Sequence, residues 1–294
     1  MAFCEKVKIQ GVTIQNPPDS PNTDGINPDS CKAVQISDCF ISVGDDCIAI
    51  KSGMEEEEKQ LVKPCESITI SNCQLERGHG GIVLGSETTG GIRNVVVSNC
   101  LFKGTDRGIR IKTRRGRGGG VEHIRVSNCI MEEVLSPFTI NMFYGCGAWG
   151  NATVSSKDML PVTSGTPKIR SIFISHVWAY QVKLAAAFLY GLPESPIKDL
   201  HLSEWAVELD SDYRKNGKGE AIEMAEGLPE CVRSGFYAKN VEGIYLSGVQ
   251  VRNALGNPFY LENIRNGSMH RLEAYPAPLG GPLVACTNVE GIPL

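Results

Sequence analysis

Four short segments carry the residues that could do chemistry: Asn22-Thr23-Asp24, Gly44-Asp45-Asp46, Gly78-His79-Gly80 and Arg110-Ile111-Lys112. Clustered carboxylates repel one another, which raises the proton affinity of at least one of them. A protonated carboxyl beside an ionised one is the equipment for breaking a glycosidic bond. The acid protonates the leaving oxygen, while the carboxylate activates water or attacks the sugar. Arg110 and Lys112 beside such a group suit a substrate that itself bears carboxylates, which arginine can grip through two hydrogen bonds. These residues are far apart in the chain, so the elements between them must bring them together.

Asp45 and Asp46 open the apolar run Cys47-Ile48-Ala49-Ile50. Acidic pairs are depleted from strands because charge conflicts with burial in a pleated sheet. The pair is therefore either a solvated turn or part of a site. Repetition elsewhere in the chain favours the site. The tripeptide Ser-Asx-Cys recurs at Ser37-Asp38-Cys39, Ser71-Asn72-Cys73, Ser98-Asn99-Cys100 and Ser127-Asn128-Cys129, each after a β-branched run. Weaker copies stand at Ile174-Ser175, Leu202-Ser203 and Leu246-Ser247, and an earlier one at Ile9-Gln10-Gly11-Val12. From Gln10 through each Ser the intervals are 27, 34, 27, 29, 48, 28 and 44 residues. A strand–turn unit of this length cannot bury its own apolar face and must stack on copies of itself. The expected fold is all-β, a parallel β-helix with like residues in columns about 4.8 Å apart. Cys39, Cys73, Cys100 and Cys129 then form an interior ladder.

Setting Ile26, Ile48, Ile82 and Ile109 level gives four successive coils. Asp24 falls beside Asp46, Asp45 beside His79, and Ala49, Val83 and Arg110 share a column, as do Lys51, Gly85 and Lys112. Strict alternation would bury Asp24 and Asp46 with the isoleucines. A bend just before each Ile removes that conflict, and Gly25, Gly81 and Gly108 suit one. Glycine there and at Gly78 and Gly80 is also expected to leave space for a ligand.

Composition agrees with this architecture and excludes others. Of 294 residues, 32 are Gly and only 7% aromatic, which favours turn-rich β structure over helix bundles. Helical propensity is weak, with Lys218 to Gly227 the best candidate. A net charge of -4 gives no pull toward nucleic acid or anionic membranes. No run of about 18 apolar residues is present to span a bilayer. No secretory signal precedes the first strand, which read alone points to the cytoplasm. The 11 cysteines show no zinc-binding spacing and read as mainly reduced and buried.

The four segments, in this order, resemble the signature segments of glycoside hydrolase family 28, the polygalacturonases. The resemblance implies one right-handed parallel β-helix domain over residues 1–294, secreted, and hydrolysis of α-1,4-galacturonosyl links in pectin or polygalacturonate with inversion. It implies Asp45 as general acid, Asp24 and Asp46 holding and deprotonating the attacking water, and His79 supporting the acid's protonation and position. Arg110 and Lys112 would bind the galacturonate carboxylate. No metal or cofactor is implied. Family members carry further coils ahead of the Asn-Thr-Asp segment, whereas this chain starts almost directly on a coil at Val7-Lys8-Ile9. Subsites on those coils would then be absent.

Other features are open. Arg114-Arg115-Gly116-Arg117 reads equally as a solvated turn or an outer subsite for a polyanion. The Glu55–Glu58 run with Lys59 reads as a solvated turn beside the cleft. Tyr144, Trp149 and Tyr190 are expected to be buried. Asn151-Ala152-Thr153 and Asn266-Gly267-Ser268 are glycosylation sequons that matter if the chain is secreted. Rival readings are a hydrolase of rhamnogalacturonan or xylogalacturonan, a calcium-dependent pectate lyase, and a β-helix that binds acidic polysaccharide without cutting it.

Overall fold

Three strands joined by bends make each coil between Lys32 and Lys112, the first two run on as one long strand in the coils from Gly120 onward, and the coils stack as a right-handed parallel β-helix. The computed structural model describes residues 1–54, 61–213, 220–278 and 280–293. Among these, nineteen strands form one hydrogen-bonded network, paired in parallel throughout. A separate antiparallel pair joins Glu220–Ala221 to Glu230–Cys231. The repeat anchors stack as the intervals require: Gln10 on Ser37, then Ser71, Ser98, Ser127, Ser175, Ser203 and Ser247.

The recurring Asx has a physical reason. Asp38, Asn72, Asn99 and Asn128 have φ of 57°, 56°, 57° and 55°. This left-handed conformation costs most L residues about 1–2 kcal/mol and Asn or Asp the least, because the short side chain can hydrogen-bond locally. Asn72 donates to Asp38 Oδ1 at 3.2 Å, and Asn99 and Asn128 each donate to the amide before them at 3.5 Å. His176, Glu204, Gly248 and Arg271 occupy the same corner in later coils, at φ between 52° and 65°. The turn thus persists after the tripeptide has faded.

Inside, Cys39, Cys73, Cys100 and Cys129 lie buried in one ladder, succeeded by Val177, Trp205 and Val249. All are free thiols, and burial pushes the Cys129 thiol up to about 11. Inward residues of the first coil, Val7, Ile9 and Ile14, are partly buried, whereas Val34, Ile36 and Ile41 stacked on them are fully so.

The long intervals are coils with excursions. The 48-residue interval carries residues 142–167, including the one-turn helix Ala152–Ser155 capped by the Asn151 side chain. The 44-residue interval carries residues 210–233. The helix expected over Lys218 to Gly227 does not form in its described part, residues 220–227. Glu220–Ala221 is a strand, Ile222 is drawn into the core, and Gly227 has φ of 64°. Lys218 and Gly219 lie outside the described residues, as do Glu55–Glu58 and Lys59.

Candidate active site

Strands Asp46–Ile50, Gly80–Leu84 and Arg107–Lys112 lie side by side, with Ile48 level with Ile82 and Ile82 with Ile109. Ile26 bridges to Ile48. The bend needed before Ile48 is present, because Cys47 and Ile48 both enter the core while Asp46 and Ala49 point the other way. Asp46 is nevertheless only 2% exposed. It is covered by its neighbours on the cleft face rather than by the core.

The three aspartates meet. Oxygens of Asp24, Asp45 and Asp46, one from each, all lie within 4.8 Å of one another. The Asp46 amide donates to Asp24 Oδ1 at 3.1 Å and to Asp45 Oδ1 at 2.9 Å, so one backbone N–H aims both carboxylates. Asp24 Oδ2 accepts from Asn27 at 2.6 Å and from Lys51 at 3.1 Å. Asp46 Oδ2 accepts from Lys112 Nζ at 2.7 Å, and Arg110 stands 3.7 Å from its Oδ1. Arg110 and Lys112 reach Asp46 across an intervening coil, a span of about 9.6 Å at the strand spacing. Gly80 leaves room for the arginine to do so. A Cβ on Gly80 would lie 3.1 Å from Asp46 Oδ1 and 3.6 Å from Arg110 Cδ.

These glycines do not leave the open space expected for a ligand. Added Cβ atoms would meet Asp45 O at Gly78, Phe102 at Gly81, Cys47 O at Gly25 and Met131 at Gly108, all within 2.5 Å. Their service is close packing of the chain on itself.

Environment separates the acids. Burial, then the charges of Asp46 and Asp24, raise the Asp45 pKa. Burial also works to raise that of Asp24, but the Asn27 hydrogen bond and the Lys51 charge outweigh it, and the net shift is downward. Neighbouring carboxyls pushed in opposite directions are the pattern of an acid beside a base. His79 sits on the coil after Asp45, yet its Nδ1 pairs at 2.8 Å with Asp106 Oδ2. That hydrogen bond raises the imidazole pKa. The charge of His79 lowers the Asp45 pKa, against the larger upward pull of burial and the two aspartates. A protonated imidazole there is a donor toward the cleft, with 55% of its side chain exposed.

Arg110 and Lys112 are brought to the patch but lie 1% and 7% exposed. Arg110 already holds a carboxylate. Glu223, from the 210–233 excursion, accepts from Arg110 Nη2 at 2.8 Å and from Nε at 3.2 Å through each oxygen. Thr139 donates to the same group at 2.6 Å, and Arg107 lies 3.6 Å away. Burial would raise the Glu223 pKa, but the Arg110 and Arg107 guanidiniums hold it down at about 2.

Sequence reasoning missed four residues here. Asp106 was within reach, since it stands three residues before Ile109 as His79 does before Ile82. Arg107 and Thr139 follow from the same columns, Thr139 being level with Arg110. Glu223 had no signal, because an excursion has no register. The arginine run is neither a solvated turn nor an open subsite: Arg114, Arg115 and Arg117 are at most 7% exposed. Arg115 pairs with Glu194 and donates to the carbonyls of Thr153 and Ser156, which ties the 142–167 excursion down. Tyr144 and Tyr190 are buried as expected, but Trp149 is 55% exposed, lying over Gly145.

Residues 1–166, which include every sequence-predicted site residue, match the family model for glycosyl hydrolases family 28. The chain belongs to that family. A Vitis vinifera protein named "Probable polygalacturonase" is 35% identical over 214 residues, 72% of this chain and 42% of the relative. An endo-polygalacturonase of Pectobacterium carotovorum is 35% identical over 157 residues, 52% of this chain and 37% of its own. Among solved structures, a Thermotoga maritima exopolygalacturonase shares 31% identity over 71% of this chain and 44% of that one, with a TM-score of 0.61. This family 28 chain therefore spans less than half the length of these relatives. The segment bearing Glu223 lies beyond the matched residues.

Proposed function

We propose that the chain is a glycoside hydrolase acting on α-1,4-galacturonosyl links of polygalacturonate or pectin, by single displacement with inversion. The carrying observation is the opposite displacement of the Asp45 and Asp24 pKa values within one cluster of carboxylates. Asp45, whose hold on its proton is strengthened, protonates the glycosidic oxygen. Asp24 and Asp46 receive the water and take its proton as it attacks. Water hydrogen-bonded to two carboxylate oxygens at about 2.8 Å each separates them by about 4.6 Å. The observed spacing fits that arrangement. Inverting enzymes hold their carboxyl groups about 6.5–9.5 Å apart. That range separates the acid from the base, and here an Asp45 oxygen lies within 4.8 Å of oxygens of Asp24 and Asp46, so the anomer formed, rather than the spacing, decides between inversion and retention.

Lys51 and Lys112 balance the charge of Asp24 and Asp46 within the chain, so the reaction as proposed routes no step through a metal. His79 orients the leaving sugar as a hydrogen-bond donor. In this reading Lys112, on the coil after His79, meets a galacturonate carboxylate while keeping its bond to Asp46. The names of the relatives supply the substrate class: one is named a probable polygalacturonase, one an endo-polygalacturonase and one an exopolygalacturonase. Incubation with polygalacturonate, with and without chelator, tests the reading. Expected are new reducing ends, chelator-insensitive and without ultraviolet-absorbing unsaturated products, whose newly formed anomer is β by proton NMR. Calcium-dependent unsaturated products, or binding without cleavage, would overturn it.

A further inference from the structure

Arg110 is the guanidinium in the cleft with the geometry to grip a carboxylate, and a carboxylate from within the chain already fills its fork. Both Glu223 oxygens are engaged by Arg110, Oε1 also accepts from Thr139, and the Glu223 side chain is 0% exposed. The segment is fastened on both sides of that contact. Ile222 is buried in the core, and its carbonyl accepts from Arg107 Nε at 2.9 Å. The Met224 carbonyl accepts from the Gly145 amide at 2.7 Å, and Glu226 from the Gly150 amide at 2.7 Å. Residues 222–226 are therefore built into the wall of the cleft. A dissolved carboxylate would have to displace an intramolecular, desolvated, doubly hydrogen-bonded one, and a buried arginine cannot serve two such partners at once.

We infer that Glu223 sets substrate specificity: it closes the carboxylate seat on Arg110, so that the sugar ring bound there is one without a free carboxylate. Two sugars share that chemistry, a methyl-esterified galacturonate and a neutral hexose or deoxyhexose alternating with galacturonate. This rests on the proposed glycosidase reading, and it assigns the specificity of that same cleft.

The experiment compares kcat/KM on polygalacturonate, on highly methyl-esterified galacturonan and on rhamnogalacturonan, for the wild-type chain and Glu223→Ala. Wild type is expected to favour one of the uncharged-ring substrates at least tenfold over polygalacturonate, and the favoured one identifies the ring. Glu223→Ala, which empties the seat on Arg110, is expected to cut that preference at least tenfold. Wild-type preference for polygalacturonate overturns the inference, as does an unchanged ratio in a variant whose near-ultraviolet circular dichroism matches wild type. Calorimetric binding of trigalacturonate and its methyl ester to Asp45→Asn protein makes the same comparison without turnover. Failure of cleavage on every polymer would then count against the proposed reaction, while equal or inverted binding would count against the role of Glu223.

Discussion

Protonating Glu223 should loosen the cleft wall, and the structure sets the size of the effect. The carboxyl is fully buried, and its pKa falls from 4.5 to about 2 because the charges of Arg110 and Arg107 outweigh the burial that would raise it. A group whose folded pKa is depressed contributes stability that is present above its unfolded pKa and is lost as pH falls through the folded value. The window is therefore pH 4.5 down to about 2. At about 1.36 kcal/mol per pH unit, the displacement corresponds to about 3 kcal/mol. Glu223→Gln removes that contribution and leaves Arg110 buried without its main anion, a loss usually costing about 3–5 kcal/mol. The variant should thus be about 3 kcal/mol less stable at pH 7, with the gap closing as the wild-type carboxyl is itself neutralised near pH 2. Urea unfolding followed by tryptophan fluorescence at pH 7, 4.5, 3 and 2, with equal slopes confirmed for both proteins, measures the gap directly. Asp24 and Asp106 also have lowered pKa values, but they are common to both proteins and cancel in the difference. A gap that stays constant across the window, or that is absent at pH 7, would refute the reasoning.

Three further perturbations test the site and the scaffold. Asp45→Asn should lower kcat about 10²–10⁴-fold, the usual worth of a positioned acid, with thermal unfolding nearly unchanged; full activity in initial-rate assays would remove Asp45 from the acid role. The pH profile of kcat/KM should fall on the alkaline side as the raised Asp45 pKa is passed. Because Lys51 lowers the Asp24 pKa, Lys51→Met should move the acid limb to higher pH, and an unmoved limb would dissociate Asp24 from it. On the outer corner, Asn99→Ala places a less tolerant residue at φ of 57° and should cost about 1 kcal/mol by chemical denaturation, while Asn99→Gly should cost less.

The columns of this fold were legible because stacking at a fixed spacing turns sequence intervals into contacts. Levelling four isoleucines placed Asp24, Asp46, Arg110 and Lys112 on one patch, and the hydrogen-bonded register agrees at Ile26, Ile48, Ile82 and Ile109. The same rule carried one step further yields Asp106 under His79, and with it the reason the imidazole pKa is raised. What the sequence withheld lies where periodicity stops. The 142–167 and 210–233 excursions have no register, so the burial of Arg115 beneath one and the arrival of Glu223 from the other could not be read from spacing.

Glycine shows a subtler limit. Its positions predicted bends and room, but absence of a side chain does not say what takes the space. At Gly80 the space is taken by Val83 Cγ2, by Asp46 Oδ1 and by Arg110 Cδ, the arginine passing there on its way toward Asp46. Gly80→Ala tests that assignment. The new Cβ would stand 2.3 Å from Val83 Cγ2, inside contact distance, and 3.1 Å from Asp46 Oδ1. Relief requires the Val83 side chain or the coil to shift, and an accompanying shift of the Asp46 carboxylate stretches the 2.7 Å pair with Lys112. Overpacking of this kind usually costs about 1–3 kcal/mol. If the space serves the ion pair, kcat should fall along with stability, since the carboxylate that receives the water has moved. If it served only backbone packing, stability would fall while kcat measured well below the unfolding temperature stayed at the wild-type value.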